Sequence, residues 1–152
     1  MRSSAEKKRF GDAVRDAVRG SRVAGILISA PGIEAGPFDG GCRVLARALK
    51  RIVPGGRVIT IEGQVTARYQ PHRLVWQAEH YGFEFFGGGV VDGDGYATTR
   101  GEWMRRFIRN ELVNRPVRVV AGETPSQEVP TDARVERRLA LEIRRHLKPK
   151  RK

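Results

Sequence analysis

Apolar residues recur at helical spacing in four stretches of the chain. In the first, Phe10, Ala13, Val14, Ala17 and Val18 form one stripe. Ser3 stands at its start with Glu6 three residues later, a capping box, and Gly20 closes it. In the second, Leu45, Ala46, Leu49 and Ile52 share a face while Arg43, Arg47, Lys50 and Arg51 take the other. Pro54-Gly55-Gly56 ends that helix, and Asp39 or a glycine starts it. The third opens on the capping box Thr99–Glu102 and carries Trp103, Phe107, Ile108 and Leu112. The last, capped by Thr131, repeats Val135, Leu139, Ile143 and Leu147 among arginines.

Between these stretches the pattern turns to strands. Arg57–Glu62 and Val117–Ala121 are β-rich, and Arg73–Gln77 reads as a strand or a short irregular segment. Glu79–Phe86, the turn Gly87-Gly88-Gly89 and Val90–Asp92 read as a hairpin, with Tyr81, Phe83 and Phe85 on one face. Val23–Ile28 is a short apolar run, a buried strand or a continuation of the packing, while Ala30–Gly41 and Gly63–Pro71 read as loop and turn. The fold class is therefore α+β. The expected organisation is an N-terminal helix (1–22), an α+β core (23–121), a linker (122–130) and a basic C-terminal helix and tail (131–152).

Composition changes that picture at the ends. The chain of 152 residues has a net charge of +12, and its distribution is uneven. Residues 1–22 carry +4 and 134–152 carry +7, which leaves +1 for everything between. Arg137, Arg138, Arg144 and Arg145 are the candidate binding residues for nucleic acid or another polyanion. There is no apolar run long enough to span a membrane and no secretory signal, so the expected setting is cytoplasmic or virion-associated. A single cysteine makes no internal disulfide and no zinc site by itself, and no cofactor is expected.

That cysteine, Cys42, stands where Gly40-Gly41 becomes a helix, with its side chain expected inward in the first turn. Unpaired backbone N–H groups and the positive end of the helix dipole favour thiolate there. A cysteine nucleophile needs a base, and the base needs a third group to orient it. His80 on a strand and Asp92 and Asp94 past the hairpin supply those types in order. A loop centred on Gly88 pairs Phe86 with Val90, Glu84 with Asp92 and Gly82 with Asp94, so His80, Asp92 and Asp94 share a face. By that count Asp94 is the diagonal neighbour of His80 and Asp92 is one step further.

Gly-Gly-Cys at a helix start, histidine on a strand, then Val-Val-Asp-Gly-Asp-Gly after a hairpin resembles the papain-like cysteine hydrolase superfamily, in particular its compact bacterial and phage-type members. The resemblance covers about 36–103. It implies a papain-like core in which the cysteine helix packs on a small antiparallel sheet, flanked by the terminal helices. It implies Cys42 as nucleophile, His80 as general base and Asp92 as the residue orienting the histidine, where strand counting selects Asp94. The N–H of Cys42 would be one oxyanion donor. Gly36-Pro37-Phe38 replaces the glutamine papain carries a turn upstream, Gln77 is a candidate substitute, and Arg43 stands where an aromatic residue is usual. The implied activity is hydrolysis or acyl transfer at an amide, isopeptide or thioester bond, on a peptide or other acyl substrate. The alternative is a non-catalytic basic binding or structural protein, on nucleic acid or in a larger assembly such as a virion. A toxin-like effector domain would use the same thiol chemistry.

Overall fold

The computed structural model describes residues 2–29, 41–129 and 131–148, and the readings that fall on 30–40, Asp39 among them, lie outside these. Among the described residues there are five helices: α1 (Ser4–Val18), α2 (Ser21–Ile28), α3 (Cys42–Ile52), α4 (Arg100–Glu111) and α5 (Ala133–Leu147). Five strands, β1 (Arg57–Ala67), β2 (Gln70–Glu84), β3 (Val90–Asp92), β4 (Gly95–Ala97) and β5 (Val117–Val120), form one antiparallel sheet in the order β4-β3-β2-β1-β5. The class is α+β.

The two faces of the sheet are covered differently. Phe83, Phe85 and Val91 face a large core filled by α1, α2, α3 and α5. Ile59, Ile61, Val90 and Ala97 face the other way, where Trp103 of α4 is fully buried among them and Phe107 packs alongside. Val135, Leu139 and Ile143 of α5 share the first core with Phe10 and Val14 of α1, so both terminal helices belong to the same packed body as the sheet. The segment expected as a linker is stitched to β1. Thr60 Oγ1 donates to the Gly122 carbonyl at 2.7 Å and accepts from the Thr124 N–H at 2.9 Å.

Several expectations are corrected. Val23–Ile28 lies in helix α2, because Val23 and Leu27, four apart, both bury in the main core. Gly63–Pro71 is mostly strand. β1 continues to Ala67, β2 begins at Gln70, and Tyr69 in left-handed backbone (φ 64°) closes the turn between them. β4, which pairs with β3, has no counterpart among the expected strands. Asp132, not Thr131, caps α5, accepting from the Val135 N–H at 3.1 Å. The arginine face of α3 is engaged in ion pairs. Arg43 and Arg47 pair with Glu123, and Arg47 and Arg51 pair with Glu136 of α5, which is 2% exposed.

The hairpin register differs by two residues from the counted one. Phe85 donates its N–H to the Gly89 carbonyl at 2.9 Å, Glu84 pairs with Val90 and Phe83 with Val91. Gly87, Gly88 and Gly89 all have positive φ, which lets the loop close this early. A shift of two preserves every side chain's face. Continued by one residue it sets Asp92 across from Gly82 and diagonal to His80, and β3 ends there, so Asp94 falls in the turn to β4 and leaves the ladder.

Candidate functional site

Cys42 is the first residue of α3 and is 6% exposed. Gly41 precedes it as a cap without a side chain, and the first bond of the helix runs from the Leu45 N–H to the Gly41 carbonyl at 3.0 Å. The N–H groups of Cys42, Arg43 and Val44 therefore have no acceptor within the helix. The Cys42 side chain packs with Ala46, Val58, Ala78 and Tyr81.

His80 lies on β2 next to an irregularity of that strand. Ile61 pairs with His80 but Glu62 pairs with Ala78, so Glu79 is a bulged residue. The bulge reverses the alternation of the strand and re-aims the side chains on either side of it. His80 Nε2 lies 2.8 Å from Asp92 Oδ2, and both side chains are buried. Phe107 stacks on the imidazole with centroids 5.2 Å apart and planes 9° apart. Cys42 is adjacent to the ring and supports its protonated form by hydrogen bonding and by charge, although Asp92 alone meets it in full hydrogen-bond geometry.

Asp92 is held by four donors. Oδ2 accepts from His80 and from the Trp103 indole N–H at 2.8 Å. Oδ1 accepts from Arg106 at 2.7 Å and from the Asp94 backbone N–H at 2.8 Å. Gly82 makes the indole contact possible, since a Cβ there would lie 2.7 Å from the Trp103 ring. Arg106 also donates to the carbonyls of Gly95 and Tyr96, which ties α4 to β4.

This arrangement sets the protonation states. Burial opposes a charged His80, but the hydrogen bond to Asp92, then the contact with Cys42 and the charges of both, push its pKa up to about 10. Burial likewise opposes a charged Asp92. The hydrogen bond and charge of His80, followed by Arg106 and the Trp103 donor, hold it below the usual carboxylate range. An imidazolium is the counterion that a reactive thiolate requires.

Of the residues singled out in the sequence, Cys42, His80 and Asp92 come together. Asp94 does not, and its carboxylate instead accepts from Asn110 at 3.2 Å. Gln77 lies nearby on β2, but its amide donates to Glu128 at 2.8 Å. Arg43 lies over the Tyr81 ring, 5.2 Å from its centroid, and ties the loop 123–129 through Glu123 and the Ser126 and Val129 carbonyls. Arg137, Arg138, Arg144 and Arg145 are exposed on α5 and are not among the residues packed on Cys42. Among the described residues no group of three histidine, cysteine or acidic side chains is placed to hold a metal ion.

Sequence reasoning missed Trp103, Arg106 and Phe107 as members of the cluster. They sit at i, i+3 and i+4 of one helix, a spacing that presents all three to one place. Comparison of the chain with protein-family models, with curated proteins and with solved structures finds no match in any of the three.

Proposed function

We propose that the protein is a papain-like cysteine hydrolase or acyl transferase acting on an amide, isopeptide or thioester bond. The observation that carries this reading is one imidazole bonded to a buried, four-donor aspartate and abutting a cysteine at a helix N-terminus. In the first step the Cys42 thiolate attacks the acyl carbon, and negative charge develops on its oxygen. Free N–H groups at the start of α3, that of Cys42 included, are the local donors for it. The His80 imidazolium gives its proton to the leaving amine or thiol as the carbon–heteroatom bond breaks, leaving a Cys42 thioester. Neutral His80 then takes a proton from water or an acceptor amine, which attacks the thioester and releases Cys42 as thiolate. Asp92 stays ionised throughout and fixes the ring's tautomer and orientation.

An activated acyl ester tests the chemistry without knowledge of the substrate. p-Nitrophenyl acetate should acetylate Cys42 in the native protein, seen by peptide mass mapping, with slower turnover behind it. His80→Ala should reduce the rate about a hundredfold or more, and Cys42→Ala should remove the adduct. Equal acetylation with and without His80 would contradict the reading.

The second reading, a non-catalytic protein that binds nucleic acid or sits in a larger assembly, is favoured by the exposed arginines on α5, Arg137, Arg138, Arg144 and Arg145 among them. It predicts a salt-steep interaction with polyanions.

A further inference from the structure

The β1–β2 hairpin outgrows the sheet that carries it. β5 runs beside β1 over Thr60–Gly63, and β3 beside β2 at Phe83 and Glu84. Past Gly63 and Gln77 the ladder continues to Ala67 and Gln70, a two-stranded ribbon reaching roughly 15 Å further at about 3.3 Å per residue. From Thr66 to Leu74 every residue except Ala67 is exposed. No acidic residue lies between Glu62 and Glu79, whereas Arg68 and Arg73 both do. Arg115 and Arg118 nearby are neutralised by Glu79 and Glu62. Arg68 instead lies 5.3 Å from the centroid of the Tyr69 ring, and Arg73 meets the Gln70 side-chain oxygen at 3.5 Å. The outer end of the ribbon is therefore a small, uncompensated positive patch.

Tyr69 stands at the tip, 89% exposed and in left-handed backbone with φ 64°. Glycine or asparagine takes that conformation readily, and a tyrosine holds it at a cost. So exposed a ring adds almost nothing to the packing of the fold. Nearer the sheet, the Arg118 guanidinium lies 4.2 Å from the centroid of the Trp76 ring. Leu74, two residues along on the same face, is 60% exposed. Aromatic and cationic side chains thus alternate along the ribbon. Its edge is built against another strand. Thr66 pairs with Leu74 and Ala67 with Gln70, so Pro71, His72 and Arg73 have no cross-strand partner. A proline, a charge and an interrupted ladder are what keep a further strand from joining an edge.

We infer that the ribbon is a binding arm for single-stranded nucleic acid, with Tyr69 as the platform on which a base stacks and Arg68 and Arg73 on the flanking phosphates. Aromatic stacking combined with basic side chains along the backbone holds single strands without reading their sequence. The inference rests neither on the thiol chemistry nor on the arginines of α5.

Fluorescence anisotropy with three labelled probes of equal length tests this on the full chain: oligothymidine, an abasic strand and a DNA duplex. The intact protein should bind oligothymidine more tightly than the abasic strand. Charge alone, on α5 or elsewhere, does not distinguish those two, so their ratio reports the stacking platform. Tyr69→Gly should lower that ratio about tenfold and leave the circular dichroism spectrum unchanged, because glycine suits the left-handed turn. Tyr69→Phe should retain the ratio, and Tyr69→Asn takes the place of the glycine variant if that one does not fold. Arg68→Gln with Arg73→Gln should weaken both single strands and reduce the slope of log affinity against log salt by about 1.4. Equal affinity for the thymidine and abasic strands, a ratio that ignores Tyr69, or tighter binding of the duplex overturns the arm. A dimer in sedimentation that Tyr69→Gly dissolves, without binding of any strand, assigns the ribbon to a second copy of the chain and overturns it as well.

Discussion

Asp92 and Glu84 are two buried carboxylates on neighbouring strands, and α4 supplies an arginine to each. Glu84 is clamped by Arg57 at 2.9 Å and by Arg100 at 2.6 Å and 2.8 Å. Both arginines reach solvent, with side chains 55% and 37% exposed, and both are always charged. Asp92 also has an arginine, but its second oxygen is shared between an indole and an imidazole. The imidazole is the one partner in either cluster that can lose a proton, with its pKa pushed up to about 10. Glu84 is held by arginines alone, which makes it a tie between strands and helix, whereas under the proposed function the carboxylate that also holds an imidazole is the one that serves the chemistry.

The comparison breaks most visibly under truncation. Asp92→Ala leaves Arg106, Trp103 and His80 without their acceptor in a buried site, so we expect a loss of about 3–5 kcal/mol in urea unfolding. Glu84→Gln should cost about 1 kcal/mol, because Arg57 and Arg100 can return to water. Equal losses would erase the distinction.

The two clusters should also respond at opposite ends of the pH scale. The folded-state pKa of His80 lies above its ordinary 6.5, so its contribution is complete below 6.5 and is lost as pH rises through about 10. The Arg100 hydrogen bond, reinforced by Arg57, lowers the pKa of Glu84. Its contribution is present above the ordinary carboxylate range and is lost on acidification. Stability measured against pH should therefore lose its alkaline decline in His80→Gln and part of its acid decline in Glu84→Gln. A single variant that flattened both limbs would show that the clusters are coupled.

Smaller effects sharpen the boundary of the site. Phe107→Leu removes the ring stacked on His80 and should cost about 1 kcal/mol. Charge reversal of Arg137, Arg138, Arg144 and Arg145 should change stability least, by about 0.5 kcal/mol or less per site. The same reversal should weaken polyanion binding and flatten its dependence on salt, read as filter binding across a salt series. Binding that survives the reversal would remove α5 from that role.

The helices were legible in the sequence because apolar spacing and capping residues are local signals. Ser3, Thr99 and Pro54-Gly55-Gly56 mark boundaries that the structure keeps within a residue or two. What was not legible depends on pairing at a distance. Val23–Ile28 has no polar alternation to tell helix from strand, and its packing against α5 and the main core settles it. The Glu79 bulge has no local signature, yet it turns His80 and Glu79 to the positions they occupy. The choice between Asp92 and Asp94 hung on where the three-glycine loop closes, and the observed register brings Asp92 to His80. Trp103 read as ordinary core, which it is, but its N–H is spent on Asp92. Arg106 and Phe107 become partners only once α4 is laid on that face of the sheet.

The proposed chemistry depends on Asp92 and Cys42 holding the His80 ring as an imidazolium. Nitrogen NMR of the His80 ring, followed against pH in the intact protein and in Cys42→Ala, measures it directly. The ring should remain an imidazolium to about pH 10 in the intact protein. In Cys42→Ala it should lose its proton at lower pH, because the hydrogen bond and charge of the cysteine no longer support it. A His80 that titrates near its ordinary 6.5 in both proteins would contradict the account.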